Sequence, residues 1–176
     1  MKTYVINSIE DLKQFENNGK YIVDGNLEVN CSLNIENKNV LSVDGYLFVK
    51  PDRYIKRYIQ LGGSIETRGS IYVDGFIYAD GSIYAGSNIL AGNDCGITAG
   101  LSIKCTGKLY CGLKILAGTS PCYEITDEEK TITCGKLEGG IVAYGILVET
   151  GIKKDESKTQ EAIKLLKSKG YKIIKE

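Results

Sequence analysis

The chain contains no histidine and no tryptophan. Without histidine it lacks the side chain that most often acts as a general base near neutral pH, and a common metal ligand. Proline occurs twice, methionine once and phenylalanine three times, so twelve tyrosines carry nearly all the aromatic surface. Net charge is absent as well, because 22 basic residues balance 22 acidic ones. That balance argues against a dedicated nucleic-acid binder, which is usually basic, and against a strongly acidic DNA mimic. No apolar run approaches the ~20 residues of a membrane-spanning helix. The opening "MKTYVINSIEDLKQF" has acids where a signal peptide would need apolar residues. A cytoplasmic protein without membrane attachment is the expectation. Its 176 residues fit one domain.

Glycine, in contrast, is abundant, with 21 residues. Glycine without proline points to ordered tight turns rather than a flexible linker. The stretch "GSIYVDGFIYADGSIYAGSNILAG", residues 69–92, consists of near-identical six-residue phrases with Ile71, Ile77, Ile83 and Ile89 in the same place. Stepping by sixes extends this column back through Ile65, Ile59, Arg53, Leu47, Leu41 and Ile35 to Val29, and forward through Cys95, Leu101, Gly107 and Leu113 to Thr119. A second apolar column lies two residues later and includes Val43, Val49, Val73, Ala79, Ala85, Ile97, Ile103 and Ile115. The phase reads as unbroken from Val29 to Thr119.

Residues i and i+2 share a side only in a strand, so each phrase is a short strand followed by a corner. Three phrases close one triangular coil of about 18 residues, and coils stack as parallel strands. The expected fold class is therefore all-β: a triangular β-helix, or parallel β-solenoid, with a helical cap at each end. Residues 1–26 form the N-terminal helical cap and residues 27–119 the regular β-helix. Residues 120–131 form an acidic loop, residues 132–150 the last coil, and residues 151–176 a C-terminal helix-strand cap. In the first cap, Ser8 is the N-cap, Ile9, Leu12 and Phe15 share a helical face, and Asn18-Gly19 ends the helix. In the second, Ala162, Ile163, Leu165 and Leu166 form an apolar face and Gly170 is the C-cap. Either helix could instead bind a partner; bare strand edges and apolar core at a solenoid end favour capping.

Cys31, Cys95, Cys105, Cys111 and Cys134 fall at positions that turn inward, as small buried hydrophobes. Cys122, in the acidic loop, is the one expected to react. Asp74, Asp80 and Asp94 stand at corners near glycine, which is turn chemistry rather than a calcium site. Tyr72, Tyr78 and Tyr84 point outward on three different faces. Across coils, Tyr54 is expected under Tyr72 with Leu90 above, an exposed ladder suited to an interface. The alternative is ordinary β-propensity on a sheet surface. The segment "KPDRYIKRYIQ" departs most from the repeat, since Arg53 occupies an apolar column. Arg53, Tyr54, Lys56, Arg57 and Tyr58, together with Tyr72, form the candidate binding patch. The alternative is a solvated corner in which Arg53 swings outward. No catalytic pair, metal site or cofactor site stands out.

The phrase quoted above resembles β-helical solenoid proteins, both the hexapeptide-repeat proteins and the bactofilins. The first resemblance implies a left-handed helix, toward which the hexad leans; the second implies a right-handed one. Hexapeptide-repeat acyltransferases generally use a histidine base, and this chain has none. Bactofilins polymerise end to end through bare termini, whereas both ends here read as capped. The leading expectation is a non-catalytic interaction protein that binds another protein through its rigid face and the acidic loop. Nucleic acid is a weaker candidate, and a homodimer through a face or cap is a further possibility. Composition rich in lysine, isoleucine and asparagine suits an inhibitor encoded by a phage or mobile element. The alternatives are a self-assembling bactofilin-like scaffold and a degenerate hexapeptide-repeat transferase.

Overall fold

In the computed structural model, which describes residues 1–37, 39–121 and 124–151, the chain winds into a parallel β-solenoid. Its strands, two to four residues each, form three sheets of seven, six and eight strands. One coil runs Asn26–Val29 on face 1, Leu33–Ile35 on face 2 and Val40–Val43 on face 3. The chain then returns to face 1 at Leu47–Val49, one rung higher and in parallel register. With strands ~4.8 Å apart, the prism is on the order of 30 Å long.

The strands form because each triplet places branched apolar residues inward on either side of one outward residue. Ile71, Ile77 and Ile83 are buried in one coil, and Ile89, Ile97 and Ile103 in the next. Tyr72, Tyr78 and Tyr84 face outward on three different sheets, as expected. Corner amides find partners in small polar side chains. The Ser82 N–H donates to Ser64 Oγ at 3.0 Å, and Lys108 N–H to Asn88 Oδ1 at 2.8 Å. Among the described residues no buried side-chain polar atom lacks a partner, as a stable interior requires.

The repeat is not unbroken. Leu27, Leu47, Ile71, Ile89, Leu109 and Leu137 stack in one column at steps of 20, 24, 18, 20 and 28 residues. The bare repeat of 18 occurs once in this column, and every other coil is longer. Two extra residues separate Leu33 from Leu41, and two more separate Ile89 from Ile97. Two residues is one strand period, so each addition shifts the inward role to the other apolar column and leaves the alternation intact. Between Leu47 and Ile59 the addition is a whole hexad, which preserves phase but makes residues 50–58 a loop. Arg53 therefore lies in that loop and in no inward column.

Residues 1–26 are more than a helical cap. Thr3–Ile6 pairs with Asn26–Val29, and Lys20–Val23 pairs with Val40–Val43, adding strands to faces 1 and 3. Between them the helix Ile9–Leu12 is held by a capping box. Asp11 N–H donates to Ser8 Oγ at 3.3 Å, and Asp11 Oδ2 accepts the N–H groups of Asn7 at 2.8 Å and Ser8 at 3.1 Å. These backbone donors, Asn7 first, hold the Asp11 carboxyl below its ordinary range. Leu12 is fully buried, and Phe15 meets the Tyr4 ring edge-on at 5.0 Å. Asn18 and Gly19, with φ of 50° and 74°, make the tight turn into Lys20–Val23. The expected C-terminal cap lies outside the described residues, apart from Gly151, as does Cys122. No helix among the described residues is long and apolar enough to cross a membrane.

Candidate functional site

Face 1 carries the outward ladder expected around Tyr72, with different members. Phe48, not Tyr54, lies beneath Tyr72, because the inserted hexad displaces Tyr54 from the stack. Leu90 lies above Tyr72 as expected, and Tyr110 lies above Leu90. The Phe48 and Tyr72 rings meet edge-on at 6.4 Å and 87°, a favoured aromatic geometry. Below the ladder the surface turns polar. Glu28 pairs with Phe48 in register, bonds Lys50 Nζ at 2.7 Å and accepts Tyr46 OH at 3.0 Å. The lysine and tyrosine, in that order, hold the Glu28 carboxyl below its ordinary range.

The ladder is walled on one side by the corner between faces 1 and 2, where loop 50–58 projects. Asp52 braces that loop. Its Oδ1 accepts Tyr54 N–H at 2.9 Å and Ile55 N–H at 3.4 Å, the local turn an aspartate after proline favours. Its Oδ2 accepts Arg57 Nη2 at 2.7 Å, while Arg57 Nη1 donates to the Lys50 carbonyl at 3.1 Å. The Tyr54 N–H is the chief cause holding the Asp52 carboxyl low; desolvation opposes it, and Arg57 adds to it. Both ends of the loop are thus tied through one side-chain pair.

A second tie reaches across coils. Lys56 Nζ bonds Asp94 Oδ2 at 2.8 Å, linking loop 50–58 to residues 92–96, the two-residue addition at the same corner. The hydrogen bond to Asp94 raises the Lys56 ammonium above its usual range, and the Asp94 carboxyl is lowered in turn. Both groups are exposed, so the pair places the loop more than it stabilises the fold. Tyr58, at the loop's end, stacks on Phe76 at 4.5 Å and 11°. Phe48, Pro51, Lys56, Tyr72, Leu90 and Tyr110 line a groove of about 460 Å³ between loop and ladder. On the same loop, Tyr54 is 85 % exposed and Ile55 61 %.

The six predicted binding residues therefore divide. Arg53, Tyr54 and Lys56 lie on the exposed loop, Arg57 is its internal brace, Tyr58 is a corner stack, and Tyr72 belongs to the ladder. Phe48, Ile55 and Tyr110 join the site without having stood out in the sequence. Phe48 follows Leu47 as Tyr72 follows Ile71, a likeness visible once the coil between them is counted as 24 residues. The acidic loop expected at 120–131 starts from a different corner, since the strands that flank it, Lys114–Ala117 and Thr131–Cys134, lie on faces 2 and 3. A hollow of about 390 Å³ lies at that corner beside Tyr78, Asp80 and Pro121. Its main polar pair is self-satisfied, with Tyr78 OH donating to Asp80 Oδ1 at 2.7 Å.

Cys105, Cys111 and Cys134 are buried free thiols, as expected, while Cys31 and Cys95 are only half-buried. Burial, then the neighbouring Cys134, pushes Cys105 up to about 12; burial, then Glu149, pushes Cys134 up to about 11. Both are neutral core side chains at physiological pH. Among the described residues, no three His, Cys, Asp or Glu side chains are grouped to hold a metal ion. Comparison with known proteins finds no matching family model, no matching curated relative and no matching solved structure.

Proposed function

We propose that the protein is a non-catalytic interaction module that binds another protein through face 1 and loop 50–58. The observation that carries this reading is the exposure of Tyr54 and Ile55 at the tip of a loop tied down by Asp52, Arg57 and Lys56. Adjacent apolar side chains held out in water gain burial energy only when a partner covers them. Fixed in advance, they lose little entropy when a partner covers them. Tyrosine and arginine anchors beside an apolar groove are the composition of interface hot spots.

Charge favours a protein partner over nucleic acid. Lys50, Lys56 and Arg57 are each paired with a carboxylate, leaving Arg53 as the loop's one basic residue without an ion pair among the described residues. Phosphate backbones are gripped by several unpaired cations. The five cysteines among the described residues are free thiols, which is compatible with the reducing setting this reading assumes. The narrower reading, an inhibitor encoded by a phage or mobile element, rests on composition. A bactofilin-like end-to-end scaffold has one observation in its favour: the inward residues of the last coil are part-exposed.

The test is paired capture from a lysate of the source cell, with native chain and a Tyr54→Ala/Ile55→Ser variant as baits. A bound protein retained by native bait should bind the variant at least tenfold more weakly, since each hot-spot truncation costs ~2 kcal/mol. Tyr84→Ala, on face 3, should retain it in full. Equal retention by the native chain and the double variant removes loop 50–58 from the binding surface.

A further inference from the structure

The groove of about 460 Å³ beside the face 1 ladder restricts the conformation of whatever lies in it. Phe48, Tyr72, Leu90 and Tyr110 occupy four successive rungs, and all four line it. Loop 50–58 walls one side, so a segment held there runs along the prism axis, across the strands. Rungs lie ~4.8 Å apart, which puts alternate members of the ladder ~9.6 Å apart. One turn of a polyproline II helix is three residues of ~3.1 Å, or ~9.3 Å in all. Every third residue of such a segment therefore meets the ladder in step with alternate rungs. Four rungs span ~14 Å, the length of about five residues in that conformation. An α-helix advances ~10.8 Å in two turns, and a strand repeats one side every ~6.6 Å, so both fall out of step. Strand addition is closed as well, because the strands carrying the ladder are paired on both sides.

The polar groups of the groove point to the same ligand. Tyr110 OH donates to Asn93 Oδ1 at 2.7 Å, which commits that oxygen and leaves the Asn93 amide nitrogen as a donor. The Tyr72 hydroxyl has no hydrogen-bond partner among the described residues. The Lys56 ammonium keeps donors beyond the one that Asp94 accepts. All three suit backbone carbonyls. The carbonyls of a polyproline II segment are free of internal hydrogen bonds, and its prolines bring no N–H in need of an acceptor. Charge narrows the ligand further. Of the groove's carboxylates, Asp94 is paired with Lys56, whereas Asp74 has no ion pair among the described residues. Its complement is a lysine or arginine on the partner.

We infer that this groove binds a proline-rich segment of the partner protein, in polyproline II form, with a lysine or arginine facing Asp74. The inference rests on face 1 as the binding surface and names the segment that surface takes. A segment already in this conformation loses little entropy when it docks.

Its test is fluorescence anisotropy of dye-labelled synthetic peptides titrated with the full chain. An oligoproline carrying one arginine should bind saturably. The same peptide with glutamate for arginine, or with glycine and serine for the prolines, should bind roughly tenfold more weakly. Tyr72→Ala should weaken the arginine peptide by a similar factor, and Tyr84→Ala, on face 3, should not. Asp74→Lys should reverse the charge preference, making the glutamate peptide the tighter ligand. If Tyr72→Ala fails to fold, that reversal decides. Absence of saturable binding to the native chain overturns the inference, as does equal binding of the glycine-serine peptide or an unchanged preference in Asp74→Lys. Peptide binding that weakens as the chain's own concentration rises overturns it too, since a second copy then occupies the groove. The wider reading of face 1 is judged separately. A captured partner lost by Tyr54→Ala/Ile55→Ser, with no proline-rich peptide bound, leaves that reading standing and removes this one.

Discussion

Gly100→Val is expected to cost more than ~3 kcal/mol of stability or to prevent folding altogether, the scale of the severest point substitutions. Gly100 follows the strand Ile97–Ala99 at the corner between faces 2 and 3, and its N–H donates to the Ala79 carbonyl at 2.8 Å. A Cβ built there would overlap the backbone carbonyl oxygen of Asp80 in the coil beneath. Relief requires two coils to separate, and the strands pairing Ile97–Ala99 with Ile77–Ala79 would lose register contact on one face. Backbone cannot yield as a flexible side-chain tip can. Urea unfolding measures the cost. A midpoint within error of the native value would mean that the coils do not approach as closely at this corner as the stacking requires.

The second large effect comes from the core. Ile83→Ala is expected to destabilise by about 2–5 kcal/mol, through lost transfer energy and the cavity left behind. Ile83 is fully buried between Ile65 below and Ile103 above, so neither neighbour can move in without breaking its own column. The informative contrast is Leu147→Ala, on the last rung of the same face. Leu147 has a neighbour on one side among the described residues and is already partly exposed, so its truncation should cost less than half as much. A solenoid's stability is close to a sum over rungs and their interfaces, which makes position along the prism decisive. Equal losses at the two sites would contradict that picture.

Much of the fold is legible in the residues because alternation and spacing are backbone properties. Ile71, Ile77 and Ile83, one in each of three successive phrases, announce the three faces of one coil. Ser8 and Asp11 announce the helix start through chemistry confined to four residues. The errors have an equally physical origin. An addition of two residues is invisible to a period of two, so the shift from Ile89 to Ile97 leaves both apolar columns looking continuous. A whole-hexad addition is invisible to a period of six, and Arg53 in an apolar column is its single trace. The ladder suffers accordingly. Tyr72 and Leu90 lie in the bare 18-residue coil and stack as the repeat predicts, whereas Phe48 and Tyr110 lie across additions whose size the repeat does not reveal.

The candidate site divides on the same line. Loop residues stand out by composition, because basic and aromatic side chains interrupt a repeat of isoleucine and glycine. Their arrangement does not. Asp52 as a brace depends on how the loop turns, and the Lys56–Asp94 tie joins residues 38 apart. That tie exists because both additions emerge at the corner between faces 1 and 2. Which corner an insertion leaves is settled by counting coils, and the count needs the structure.

A rigid prism that binds sideways must be finite, and sedimentation velocity of the full chain over a wide concentration range tests this most directly. The account predicts one compact species whose sedimentation coefficient stays constant, with the helix Ile9–Leu12 closing one end and, at the other, Glu149 Oε1 taking the Leu137 N–H that a further strand would need. Steady growth into larger species with rising concentration would contradict it, and would make the last rung an assembly surface.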